Sequence, residues 1–128
     1  MASASSLLGI VLQVDCPDLA MSRHINLQHL SDDEFLRAAS RNVEALNHAT
    51  RNIPPGAMRM HVCWGNYPGP HTRDLPVSKV FEVMFKARPQ GILFEAANAR
   101  HEHEWEDWRD ARIPADKVLI PGAIDTRT

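Results

Sequence analysis

Two hydrophobic rhythms divide this chain. Leu7 to Val14, LLGIVLQV, is a short apolar run with β-branched content and no helical period, which predicts a buried strand ending near Asp15 and stopped by Pro17. After a polar connection the rhythm changes. Ser31 and Glu34 have capping-box spacing, and Phe35, Leu36, Ala39, Val43 and Leu46 recur on one helical face. Pro54-Pro55-Gly56 ends that helix and leads into a second strand, Met58 to Trp64. GNYPGPHTRD reads as a loop. A helix starting at Asp74 or Pro76 follows, with Val77, Val80, Phe81 and Met84 as its stripe and an end before Pro89. GILF, Gly91 to Phe94, predicts a third strand closing on Glu95, and HEHEWEDWRDAR a short helix with Trp105 and Trp108 on a narrow buried edge. KVLI, Lys117 to Ile120, predicts the fourth strand.

Strand and helix therefore alternate, with apolar strands and short connections, which is the pattern of parallel βαβ units in an α/β fold. Such a sheet is either open and doubly wound or part of a (β/α)8 barrel. A complete barrel takes about 250 residues. The 128 residues here carry four βα units, half a barrel, and show no repeat, linker or second core, so 1–128 reads as one domain.

Composition narrows the function. At 44% hydrophobic and 23% charged the chain is that of a globular domain, and a formal charge of -2 leaves no basic excess for phosphate backbones, so nucleic acid is not an expected partner. No apolar run approaches the roughly 20 residues of a bilayer span, and Met1 to Ser6 lack the charged start of a signal peptide. A cytoplasmic setting is expected, with Cys16 and Cys63 as reduced thiols.

The predicted strands deliver Asp15, then His61 and Cys63, then Glu95, to one rim, and the fourth runs on towards Asp125. The carboxyl ends of parallel strands are where sites form in such folds. Residues two apart on a strand share a face, so His61 and Cys63 point together, opposite Met60, Val62 and Trp64. Zinc accepts this set of imidazole, thiolate and carboxylate. On spacing alone His61 and Cys63 fit a core histidine beside a buried cysteine better than a pair of ligands. Glu95, directly after GILF, adds a carboxylate that is costly to bury without a cation or donor. Cys16 is expected to pack on the opposite face, His101 and His103 to lie on a solvated helix face, His24, His29 and His48 on the surface or in loops, and both tryptophans in the core.

LQVDCPDLAM, HVCWGN, FEAANAR and VLIPGAIDT resemble, in order, successive strand ends of the cobalamin-independent methionine synthase family. The resemblance runs from about Gly9 to Arg127 and implies strands four to seven of that family's zinc-containing catalytic barrel. By position it implies zinc ligands at His61, Cys63 and Glu95, and at Asp15 the aspartate that holds the amino group of homocysteine. The family's last ligand, a cysteine, would fall beyond Thr128, so a segment inactive on its own is expected. Self-association or a complementing chain is expected with it.

Two positions depart from the family pattern. Met21 stands where the family places an acidic contact to the pterin, and Arg127 where it has a proton-donating histidine; His71, His101 or His103 could take that place. The implied reaction is transfer of a methyl group from methyltetrahydrofolate to a zinc-activated thiol, in methionine biosynthesis. HVCWGNYPGPH and ANARHEHEW look more like a side branch, and the wider grouping includes enzymes joining coenzyme M to epoxides. A non-catalytic zinc-binding scaffold is the rival expectation, and Asp125 a candidate to steady a ligand histidine.

Overall fold

A computed structural model describes residues 9–66 and 71–125. Four strands alternate with helices: β1 (Leu12–Cys16), α1 (Ser22–Ile25), α2 (Asp32–Ala49), β2 (Met58–Val62), α3 (Val77–Phe85), β3 (Gly91–Glu95), α4 (Trp105–Asp110) and β4 (Val118–Gly122). The strands form one sheet in the order β1-β2-β3-β4, every neighbouring pair parallel. The fold is α/β, as the alternation predicted, and no helix among the described residues is long and apolar enough to cross a membrane.

Strand alternation decides which side of the sheet is covered. Met58, Met60, Val62 and Trp64 are at most 2% exposed, and the last three pack with Phe35, Ala39 and Val43 of α2 and Val77, Val80 and Met84 of α3. The intervening residues Asp15, Arg59, His61, Leu93 and Glu95 are half-buried or exposed. One face is thus core and the other open.

The capping box at α2 is complete. Glu34 N–H donates to Ser31 Oγ, and Ser31 N–H donates to Glu34 Oε2 at 2.8 Å. Three acids in the first turn also suit the positive end of the helix dipole.

Element limits move where local backbone chemistry overrides hydropathy. β1 begins at Leu12, because Gly9 turns the chain at φ +64° and leaves Ile10 and Val11 more than half exposed; Leu7 and Leu8 lie outside the described residues. β2 stops at Val62 instead of Trp64, since the Cys63 carbonyl accepts from Met21 N–H at 2.9 Å and no longer faces a strand. The connection after β1 contains a 3-10 turn, Pro17–Leu19, and the one-turn helix α1. β4 continues through Pro121, which an edge strand tolerates because the missing N–H can face outward.

Three expectations of burial are corrected. Trp105 is 57% exposed, its ring beneath the Arg109 guanidinium, because α4 has only six residues and buries one edge; Trp108 takes the core position and stacks on Phe94 at 3.9 Å. His101 is buried, held by Glu104 at 2.9 Å and packed on Trp64, because Glu104 turns inward to accept the first N–H of α3 from Val77. His24 is buried too, bonded to Asp74. His29, His48 and His103 are exposed.

Candidate metal centre

Sheet register builds the site before any side chain is considered. Asp15 is the direct partner of His61 across β1 and β2, and His61 that of Leu93 across β2 and β3. Two further residues along the chain from His61, just past β2, and two along β3 from Leu93 bring Cys63 and Glu95 to the same open face, at the carboxyl ends of the strands. His61, Cys63 and Glu95 line one cavity of about 310 Å³, walled also by Asn66, Asn98, Ile120 and Ile124.

Asp15, His61 and Cys63 each offer a donor atom within 4.8 Å of the others, the separation a single ion can span. Glu95 stands on the wall of that cavity but outside the group of three. His61 Nδ1 lies 2.8 Å from Asp15 Oδ1. A carboxylate only accepts, so Nδ1 carries the hydrogen and Nε2 presents its lone pair. This is the carboxylate–imidazole arrangement that orients metal-binding histidines. Asp15 therefore touches His61 directly, a contact beyond the substrate role implied for it. Its side chain is 62% exposed.

Burial pushes the Cys63 thiol above its usual range; the Gly65 N–H, donating to Sγ at 3.3 Å, opposes this, while the negative charges of Asp15 and Glu95 add to it. A thiol so placed keeps its proton at neutral pH, and a cation bound beside it would favour the thiolate. Gly65 is itself required. Its φ is +85°, and a Cβ there would meet Met21 Sδ at 2.8 Å, so Met21 serves as packing beneath the Cys63 turn.

Cys16 is 4% exposed and its thiol is pushed up to about 12, first by burial and then by Asp18 and Asp15. At pH 8 its thiolate fraction is roughly one in ten thousand. A maleimide or iodoacetamide pulse on the folded protein is therefore expected to label Cys63 slowly and leave Cys16 untouched, with both reacting fast in denaturant. Peptide mass spectrometry reads the result, and equal labelling of the two in the folded state would contradict the packing of β1.

A second imidazole group includes His24, which lies near Gly65. Asp74 Oδ1 accepts from His24 at 2.8 Å and Oδ2 from His71 Nδ1 at 2.6 Å, with the two rings 4.1 Å apart. These donors are also close enough for one ion. Arg100 decides against it: Nη1 lies 2.7 Å from His71 Nε2, and a guanidinium can only donate, so the His71 hydrogen is on Nδ1, pointing at Asp74. That nitrogen has no lone pair for a metal. His71, Asp74, Arg100, His101 and Glu104 border the larger cavity, about 410 Å³, away from Cys63.

Asn98 has no place among the residues singled out by sequence, although it donates to Glu95 at 2.6 Å. Its spacing, three residues after a strand-terminal acid, is the available signal. Asp125 follows the cavity residue Ile124, and Arg127 and Thr128 lie outside the described residues. No protein-family model matches the chain, and no curated protein or solved structure matches it.

Proposed function

We propose that the chain holds a zinc ion through His61, Cys63 and Glu95, with Asp15 beside them, and activates a thiol for alkyl transfer. The single observation behind this reading is the meeting of Asp15, His61 and Cys63 donor atoms within 4.8 Å on the open face, with Glu95 on the same cavity wall. A mixed set of nitrogen, sulfur and oxygen donors suits zinc better than magnesium or calcium, which take oxygen.

A zinc ion there supplies a Lewis acid that lowers the pKa of an incoming thiol to make it a nucleophile near neutral pH. The protein's own groups do the rest. Asp15 Oδ1 is engaged by His61, and with the side chain 62% exposed its second oxygen can take the ammonium group of a homocysteine-like substrate. His61, fixed by that bond, keeps Nε2 directed to the ion. Leu93, Ile120 and Ile124 give the cavity an apolar wall beside the sulfur. The electrophile is a methyl group of the methyltetrahydrofolate type, as in methionine biosynthesis, and the four parallel strands form half of a (β/α)8 barrel. A complementing chain or a second copy closes the other half, pairing the outer edges of β1 and β4.

Purified chain, reduced and dialysed against zinc, is expected to retain about one ion per chain. Cobalt in its place should change its visible spectrum when homocysteine is added, and release a proton. No retained ion in a folded chain sinks the reading. An ion whose spectrum ignores both homocysteine and coenzyme M leaves a metal-binding scaffold in its place.

A further inference from the structure

We infer that Asn98 is a positioning residue for Glu95, resting on the zinc reading above: it holds one carboxylate oxygen and so turns the other towards His61 and Cys63. Asn98 is 4% exposed, and its amide orientation is fixed by its neighbours. Oδ1 accepts from the backbone N–H groups of Arg100 at 3.0 Å and His101 at 3.1 Å. Both are donors, so the oxygen must face them and Nδ2 must face Glu95. The Nδ2 to Glu95 Oε2 bond is 2.6 Å, short enough to mark a charge-assisted contact.

The backbone around Asn98 leaves this amide little freedom. Its carbonyl accepts from His101 N–H at 3.0 Å and Glu102 N–H at 2.8 Å. His101 passes the constraint on through Glu104 to the start of α3. The amide is thus anchored to a helix on the core side and presents a single N–H2 to the open side. Glu95 cannot swing freely on its two methylenes. With Oε2 held, Oε1 is the oxygen left for an ion between β2 and β3. Glu95 stands outside the tight group of Asp15, His61 and Cys63, and Oε1 is the atom through which it would join an ion there.

Asn98→Asp tests the role without dismantling the turn. An aspartate keeps an oxygen for the Arg100 and His101 amides but sets a second carboxylate against Glu95. The full chain carrying N98D is expected to stay folded with a lowered melting temperature, because two neighbouring acids must share one proton there, while its zinc affinity, measured by chelator competition, falls at least tenfold. Its cobalt spectrum should lose the wild-type band pattern, because the geometry around the ion changes. In an E95Q background, N98D should cause no further loss, since no carboxylate remains to be turned. Additive losses in the double variant, or wild-type affinity and spectrum in N98D, overturn this inference alone. A wild-type chain that takes up no zinc overturns the zinc reading and this inference with it.

Discussion

Zinc affinity is expected to fall at least a hundredfold when Cys63 or His61 becomes alanine, and far less when Asp15 becomes asparagine. Four-ligand zinc sites bind with about 10–16 kcal/mol near neutral pH, so each ligand accounts for on the order of 3 kcal/mol, roughly a hundredfold. Cys63 and His61 point at the ion directly in this reading. Asp15 acts through the His61 Nδ1–H, 2.8 Å away, and an asparagine oxygen can still accept that hydrogen. The expected order of loss is C63A and H61A, then E95Q, then D15N. Competition against a chromophoric chelator at fixed pH measures all four. The next donor group, His24, His71 and Asp74, supplies the control: if C63A kept wild-type affinity, the ion would sit there, and H71A would abolish binding instead.

The sign of the pH dependence follows from the same geometry. Burial and the neighbouring acids raise the Cys63 thiol, so at neutral pH it is protonated before the ion binds and must release that proton. Affinity should therefore climb with pH, by about tenfold per unit below the thiol's pKa, and flatten above it. An affinity independent of pH between 6 and 8, roughly the range of ordinary buffers, would exclude a Cys63 ligand. C63A should lose the slope along with the affinity.

The order of strands and helices was legible because β-branched runs and helical stripes are local signals. Val77, Val80 and Met84 on α3, and Phe35, Ala39 and Val43 on α2, occupy the core faces their spacing predicted. Strand polarity followed from helix-length connections. What stayed illegible needed partners distant in sequence. His24 reads as a surface histidine until Asp74, fifty residues on, is placed against it. Asp15 and His61 are 46 apart, and only sheet register makes them neighbours. Trp105 and Trp108 have the same chemistry and nearly the same phase, so the shortness of α4, not hydropathy, decides which one is buried. Cys63 was expected inside β2; its carbonyl instead bonds Met21, and the thiol sits on a turn that Gly65 makes possible.

Asp74→Ala is expected to cost about 3 kcal/mol of folding stability, the low end of what removal of one partner from a buried pair costs. Asp74 is the shared acceptor for two histidines whose side chains are 8% and 4% exposed, and is itself 15% exposed. Without it both Nδ1–H groups lose their acceptor. His24 has no second escape, because its Nε2 is buried without a hydrogen-bond partner among the described residues. For a domain whose total stability is about 5–15 kcal/mol, this is a fifth or more of the whole, and it should lower the melting temperature by roughly 10 °C. Asp74→Asn should cost much less. Arg100 donates to His71 Nε2 and so fixes the His71 hydrogen on Nδ1, which the asparagine oxygen can accept. The asparagine N–H2 then faces His24, which can accept through Nδ1 once its hydrogen moves to Nε2, at the cost of leaving that buried N–H without an acceptor among the described residues. The pair of variants separates lost hydrogen bonds from lost charge. If D74N melted as low as D74A, the negative charge would be the stabilising element; if D74A melted with wild type, water would have taken the place of the carboxylate. Zinc affinity should stay near wild type in D74N, since none of His24, His71 and Asp74 lines the cavity that holds His61, Cys63 and Glu95.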